Sequence, residues 1–212
     1  AVGIPAKNIS LFKLGLDQQR YTPGVKAKYP LFLCVSRLVK MKRTDLVVKA
    51  MALIVKKHPT AKLAISGTGY QLPYLQKLSK DLDIENNIAF ISKDVWFFSK
   101  NTKDQKVKLM QEAWALIFPS VKEGWGMTVT ECGACGTPTI ATNVTGLQDS
   151  VIDNKTGILI SDSPTVEELA EAMEKIILNK SLRETLSKNA LDYAHEFTWD
   201  NSYRQFKGLV LS

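Results

Sequence analysis

The chain of 212 residues has an ordinary globular composition, with 45% hydrophobic and 23% charged residues, which predicts one domain with a sizeable core. No apolar run approaches the roughly 20 residues that span a bilayer, and the first ten residues lack the pattern of a signal peptide, so we expect a cytoplasmic protein. The three cysteines are an odd number, which argues against a secreted disulfide framework.

The formal net charge of +7 is unevenly distributed. Ten Lys or Arg residues and a single acidic residue, Asp45, lie between Lys26 and Lys62. Most of these lysines are expected to form a solvated face. Because this stretch has no interleaved aromatics, it favours a phosphate ligand or an anionic membrane surface as a partner, and not nucleic acid.

Apolar runs alternate with helical periods along most of the chain. The first 24 residues have no sustained period and end in Tyr-Thr-Pro-Gly, which is typical of a linker. Predicted strands follow at 31–36, 62–66, 88–91, 115–118, 137–141 and 157–160, and predicted helices at 44–57, 71–82, 104–113 and from about residue 128. This alternation predicts an α/β fold with a doubly wound, Rossmann-like parallel sheet of six strands in the order 3-2-1-4-5-6.

The last part of the chain is predicted to be a helical tail. Helices are expected at 165–179 and 181–196, the first with a possible capping box formed by Thr165 and Glu168, and a third at 198–211. Cys132 and Cys135 form a lone CxxC, which we interpret as one packed helix face and not as a metal site.

The loops after the first and fourth strands diverge at the centre of such a sheet, where ligands bind. Arg37 and Lys42 lie in the first loop, whereas Glu123, Gly124 and Gly126 lie in the second. Cations are therefore predicted to face a carboxylate across one cleft, which suits a diphosphate attached to a sugar.

A structural interpretation of the second loop is also open. Thr128 and Glu131 fit a capping box, and Gly133 and Gly136 fit close helix packing. From these residues alone, a purely structural role and a ligand-binding role for this segment are about equally favoured.

The stretch PSVKEGWGMTVTECGACGTPT, residues 119–139, resembles the nucleotide-sugar signature of the retaining family-4 glycosyltransferases. Its Trp125 replaces the usual Phe, and Cys132 and Gly133 stand where the family prefers small or apolar residues. The matching residues are Glu123, Gly124, Gly126, Glu131, Ala134, Cys135, Gly136 and Pro138.

The resemblance implies a role for each matching position. Arg37 and Lys42 would stabilise the departing nucleoside diphosphate, Glu123 would hold the donor sugar and Glu131 the ribose. The implied catalytic residues are Arg37, Lys42 and Glu123, and the implied donor-binding residues are Gly67, Gly69, Gly124, Trp125, Gly126, Met127, Thr128 and Glu131. No metal and no further cofactor is expected, because Arg and Lys supply the leaving-group stabilisation.

The resemblance extends from about Gly3 to Trp199 and implies one half of a GT-B fold. Residues 1–24 would be an interdomain linker, 25–196 the nucleotide-sugar-binding domain, and 197–212 a helix that crosses back to an amino-terminal, acceptor-binding domain. A chain without that domain would bind a donor but transfer no sugar.

Two other functions stay open at this point. A sugar-nucleotide epimerase uses a related fold and ligand, and a binding module without catalysis is the second alternative. A dinucleotide oxidoreductase is disfavoured because the loop after residue 36 has no GxGxxG. The aromatics Trp96, Phe97 and Phe98 either pack inward or stack on a base.

Overall fold

The computed structural model describes residue 5, residues 13–91 and residues 100–211, the side chains of 100–104 excepted. Six parallel strands form one sheet in the order β3-β2-β1-β4-β5-β6, so the predicted fold class and strand order are confirmed. The predicted aromatic cluster at 96–98 lies outside the described residues. The strands are β1 Leu31–Val35, β2 Lys62–Ser66, β3 Ile88–Ile91, β4 Ala115–Phe118, β5 Thr139–Thr142 and β6 Gly157–Ile160.

Helices alternate with these strands and then form the predicted tail. Short 3-10 turns cover Lys40–Lys42 and Glu85–Asn87. The helices are α1 Thr44–Lys57, α2 Leu72–Asp81, α3 Lys100–Glu112, α4 Met127–Ala134, α5 Leu147–Ser150, α6 Val166–Leu178, α7 Lys180–Ala194 and α8 Trp199–Val210.

Strand β1 is the centre of the sheet because its sequence, LFLCV, is apolar on both faces. All five residues are buried, and the strand pairs in parallel with β2 and β4, so that Phe32 lies beside both Leu63 and Ala115. A strand that is covered by helices on both faces is expected to have a continuously apolar sequence.

The sheet separates two apolar cores. One contains Phe32 and the buried faces of α1, α2 and α6, with α1 packed on α6. The other contains Leu33 and residues of α3, α4 and α7, with α4 packed on α7. Helices α1 and α2 therefore lie on the opposite side of the sheet from α4.

Three local predictions need correction or refinement. Strand β5 begins two residues later than predicted, because the Thr137 amide donates to the Cys132 carbonyl of α4 and Pro138 has no amide proton to donate. Helix α3 begins four residues earlier than predicted, and the short helix α5 was not predicted. Thr165 does cap α6, but the Glu168 carboxylate accepts from the Ser161 amide and hydroxyl.

The described end of the predicted linker, residues 13–24, packs against the domain. Leu16 and Tyr21 are buried in the core on the α4 side, and the Leu16 amide donates to the Phe197 carbonyl at 2.9 Å. The Ser202 hydroxyl of α8 donates to the Lys13 carbonyl at 2.6 Å. In the described part of the chain, no helix is both long and apolar enough to cross a bilayer.

Candidate functional site

The loops after β1 and β4 meet in an ion pair between Lys42 and Glu123. Both side chains are largely buried, with 10% and 14% of their surface exposed. The Lys42 ammonium also lies 5.5 Å from the centroid of the Phe118 ring. The predicted apposition of a cation and a carboxylate at the carboxyl edge of the sheet is thus confirmed for this pair.

A tight turn directs Lys42 towards Glu123. Lys42 ends the 3-10 turn, its amide donating to the Val39 carbonyl at 2.9 Å, and Arg43 follows in the left-handed conformation with φ 49°. The Val121 amide donates to the Met41 carbonyl at 2.9 Å and joins the two loops directly. The approach of the cation to the carboxylate is therefore set by backbone contacts.

Arg37 does not share this arrangement. Its side chain is exposed and forms no ion pair with any described residue. Its place directly after β1 keeps it at the same edge of the sheet as Lys42.

The loop after β4 contains two glycines, Gly124 and Gly126, and the structure requires glycine only at position 126. Gly126 precedes α4 with φ 80°, and a Cβ there would approach the Leu147 side chain to 2.9 Å. Gly124 has no positive φ, and a Cβ on it would meet nothing within 4 Å. No packing contact within the described chain requires glycine at position 124, so close approach of a ligand remains as a physical reason for it.

The predicted capping box at α4 is wrong. The residue before the helix is Gly126, no side chain caps the helix, and Met127 and Thr128 are its half-buried first two residues. The strand-to-helix turn requires the left-handed backbone at Gly126, and this leaves Thr128 inside the helix. Glu131 is therefore released from the capping role.

Glu131 instead joins three parts of the chain. It accepts a hydrogen bond from the Tyr21 hydroxyl at 2.8 Å and pairs with the Lys106 ammonium at 2.6 Å. Burial, followed by the negative charge of Glu131, raises the pKa of Tyr21 above its usual range. Sequence reasoning missed Tyr21 and Lys106, because nothing in the local sequence shows that either side chain points to Glu131.

Trp125 is directed towards the tail and the linker. Its ring lies 5.4 Å from that of Phe197, and the Lys13 ammonium lies 6.0 Å from its centroid. The indole Nε1 is buried and has no hydrogen-bond partner among the described residues. The structure thus gives Trp125 a packing role, and its implied contact with a donor stays a prediction.

Gly67 and Gly69 allow the loop after β2 to approach the loop after β1. A Cβ at Gly67 would lie 1.8 Å from the Ser36 carbonyl oxygen, and one at Gly69 would lie 2.2 Å from that of Leu38. This contact explains both glycines without a ligand, so their implied contact with the donor also stays a prediction.

The cysteines are buried and free. Burial raises the pKa of the Cys135 thiol to about 12 and that of Cys132 well above its usual range. A buried, protonated thiol is not a nucleophile, and both side chains pack in the core on the α4 side, as interpreted from the sequence. No group of three or more metal-ligating side chains occurs within the described residues.

The family model "Glycosyl transferases group 1" matches residues 17–192 of the chain. Among curated relatives, the D-inositol 3-phosphate glycosyltransferase of Actinosynnema mirum is 30% identical over 217 residues, which is 93% of this chain and 50% of that protein. The chain spans about half the length of the curated relatives it matches.

Solved structures share the fold. The sucrose-phosphate synthase of Thermosynechococcus elongatus superposes with a TM-score of 0.79 at 25% identity, covering 92% of this chain and 50% of that one. The Anabaena protein HepE, solved with UDP and glucose, gives 0.77 at 19% identity, covering 93% of this chain and 55% of that one.

Proposed function

Since the chain belongs to the group 1 glycosyltransferases, we propose that it is the donor-binding half of an enzyme that moves a sugar from a nucleotide sugar to an acceptor with retention. The observation that carries the proposal is the ion pair of Lys42 with Glu123, formed between the loops that follow the two central strands. In a doubly wound sheet these loops border the crevice where ligands bind.

The proposed binding mode gives each ligand group a partner of matching chemistry. Arg37 and Lys42 hold the diphosphate, and the free amides at the start of α4 face the same anion. Glu123 accepts from a sugar hydroxyl, Glu131 accepts from the ribose, and the open space at Gly124 admits the ligand to the backbone.

Charge balance supports this mode. In the ligand-free chain Glu123 neutralises Lys42, and an arriving diphosphate can share the ammonium, which has three donors. A sugar hydroxyl can meanwhile donate to Glu123, which keeps lone pairs to accept it. Lys42 then stabilises the negative charge that develops on the leaving diphosphate, a role that a divalent metal has in other enzymes.

Glu131 needs no rearrangement to accept from a ribose. A carboxylate has about four lone-pair sites, and Tyr21 and Lys106 occupy two of them. The two donors also fix the direction of the carboxylate, which lowers the entropic cost of binding a hydroxyl.

The proposal includes a second, acceptor-binding domain, reached by α8. This helix exposes an apolar face, with Trp199 60%, Tyr203 63% and Val210 61% exposed. Water is a poor solvent for such a face, and a neighbouring domain would cover it. A cytoplasmic location, with the basic half able to meet an anionic membrane surface, belongs to the same proposal.

The isolated chain offers a direct check of that role for α8. Hydrogen exchange by mass spectrometry should find residues 200–211 less protected than α6 and α7, because the described residues leave their apolar face exposed. Protection of α8 equal to that of α7 would instead indicate a helix that is complete within this domain.

The binding function is tested by a thermal-shift screen of UDP, GDP and ADP, with and without a chelator. We expect at least one of them to raise the melting temperature in a concentration-dependent way, equally in the chelator. No sugar transfer by the chain alone is expected, because half of the cleft belongs to the second domain. Failure of all three diphosphates would contradict the donor-binding proposal, and transfer by the chain alone would contradict the two-domain one.

A further inference from the structure

The linker segment, residues 13–24, follows a fixed path over the turn between α7 and α8. The Leu16 amide donates to the Phe197 carbonyl at 2.9 Å. The segment lies so close to the start of α8 that a Cβ on Gly15 would meet the Trp199 backbone at 2.6 Å. Backbone contacts therefore set the path of the segment, and this path determines where its side chains reach.

Lys13, at the beginning of the linker segment, has its ammonium among three aromatic rings. The ring centroids of Phe197, Tyr193 and Trp125 lie 5.0, 5.3 and 6.0 Å from its Nζ. A lysine ammonium within about 6 Å of an aromatic centroid is attracted to the negative face of the ring. Lys13 forms no ion pair with a described residue, so the rings are the partners of its charge within that part of the chain.

Trp125 helps to anchor the loop after β4 to the domain. It stands between Gly124, where a Cβ would meet nothing within 4 Å, and Gly126, which has a φ of 80°. Because glycine leaves the backbone freer than any other residue, the position of the Trp125 ring restrains the loop that contains Glu123. The indole Nε1 has no hydrogen-bond partner among the described residues, so the ring is held by packing and by the Lys13 cation.

Tyr21 brings the other end of the linker segment to α4. The Tyr21 amide donates to the Asp17 carbonyl at 3.1 Å, and the resulting turn buries the side chain, which is 7% exposed. Its hydroxyl donates to Glu131 Oε1 at 2.8 Å. The linker segment thus contacts the stretch 119–139 at two points, Trp125 in the loop and Glu131 in the helix.

We propose that Lys13 and Tyr21 are positioning residues of the nucleotide-sugar site, so that the linker segment is part of the site that binds the donor. The inference rests on the proposed donor-binding function. Lys13 restrains the loop of Glu123 through the Trp125 ring, and Tyr21 orients the Glu131 carboxylate towards a ribose. By reciprocity, donor binding stabilises the docked linker segment to the same extent that the docked segment strengthens donor binding.

The first test is calorimetric titration of the chain with whichever of UDP, GDP and ADP it binds, and with the 2′-deoxy form of that diphosphate. Tyr21→Phe should reduce the preference for the ribose form about twofold or more, because Glu131 loses a donor that orients it. Lys13→Met should weaken both forms equally, by about two- to fivefold, the range for a cation–π contact at a partly exposed site. Lys13→Arg should restore part of this affinity, because a guanidinium also binds aromatic rings.

Melting temperatures separate these effects from a role in folding, which would lower stability without changing affinity in a variant that is folded. Lys28→Met and Tyr29→Phe are the matched controls, since both residues are exposed and lie outside the linker segment. Both controls should leave affinity and ribose preference unchanged.

Unchanged affinity in Lys13→Met together with an unchanged ribose preference in Tyr21→Phe would overturn the inference and leave the proposed function intact. A loss in Lys13→Met that Lys13→Arg does not restore would overturn the role of the cation. If the wild type binds none of the three diphosphates, the inference and the proposed function both fail.

Hydrogen exchange tests the reciprocal effect in the wild type, without any substitution. Saturation with the diphosphate should slow exchange in residues 14–22 by more than in α6, which packs in the other core. The amides of Leu16 and Tyr21, both hydrogen-bonded in the docked segment, lie in this range. Slowing that is equal in the two regions, or absent from residues 14–22 while the diphosphate is bound, would overturn the inference.

Discussion

Lys42 and Lys26 are largely buried lysines at opposite edges of the same sheet. The partner of Lys42 is charged, whereas the partners of Lys26 are neutral. Lys42, at the carboxyl edge, forms an ion pair with Glu123. Lys26, at the amino edge, donates to the neutral oxygens of Thr137 and Cys135, and none of the ion pairs between described residues includes it. Burial without an opposite charge lowers the pKa of Lys26 to about 8.

The difference shows what a buried cation requires in order to serve a ligand. Lys42 stays compensated when the cleft is empty and can be shared with an anion when the cleft is filled. Lys26 has hydrogen-bond acceptors but no opposite charge, so burial penalises its charged form and lowers its pKa. Ligands bind at the carboxyl edge of the sheet, where the loops diverge, so Lys42 lies in the candidate site and Lys26 does not.

The largest expected effect comes from Lys26. Its pKa is about 8 in the folded chain against an ordinary value of 10.5, so between these pH values the unfolded chain holds a proton that the folded chain has released. Stability should therefore rise with pH across this window, by on the order of 3 kcal/mol in total. The measurement is urea unfolding from pH 7.5 to 10.5, as the difference between wild type and Lys26→Met.

Lys28→Met provides the control, since Lys28 is exposed two residues away. The difference between wild type and this variant should stay flat over the same pH range. An equally flat difference for Lys26→Met would mean that the fold does not discriminate against the charge of Lys26.

A smaller effect separates the charged and the neutral hydrogen bonds of two tyrosines. Tyr21→Phe removes a bond to the Glu131 carboxylate and should lower the free energy of unfolding by about 1.5–3 kcal/mol. Tyr193→Phe removes a bond to the Asp149 carbonyl, 2.9 Å long, and should cost about 0.5–1.5 kcal/mol. Equal losses in the two variants would show that Glu131 adds no charge assistance.

Glu131→Gln asks whether the same residue also recognises ribose. The variant keeps a carbonyl acceptor but loses the charge, so it should reduce the preference for ribonucleotides over deoxyribonucleotides several-fold, with affinities measured by calorimetry. Melting temperatures recorded alongside identify variants that fail to fold. A folded variant with an unchanged ribose preference would leave Glu131 as a structural residue joining the linker, α3 and α4.

The sheet could be predicted from sequence because each strand is a local pattern. LFLCV, KLAIS, IAFI, ALIF and GILI are short apolar runs bounded by turn residues, and their alternation with helical periods leaves few topologies. The exceptions have local physical causes. The Thr137 amide bonds to α4 and Pro138 lacks an amide proton, so β5 begins at Thr139, and the left-handed backbone at Gly126 places Thr128 inside α4.

The contact between Lys42 and Glu123 was predictable from the sequence, whereas the contacts of Glu131 were not. Lys42 and Glu123 belong to the two loops that the strand order brings together, so their approach follows from topology. The partners of Glu131 do not, because Tyr21 is 110 residues and Lys106 is 25 residues away in sequence, in segments without a ligand motif.

Arg37 and Lys42 are proposed to bind a nucleoside diphosphate without metal, and calorimetric titration in a chelator tests this proposal directly. The ligand is the diphosphate selected by the thermal-shift screen, titrated into the wild type, Arg37→Ala, Lys42→Ala and the control Lys122→Ala, an exposed lysine next to Glu123. We predict that binding persists in the chelator, falls by about 1.5–3 kcal/mol in each of the first two variants, and is unchanged in the control. Unchanged affinity in both Arg37→Ala and Lys42→Ala, or loss of binding on chelation, would contradict the account.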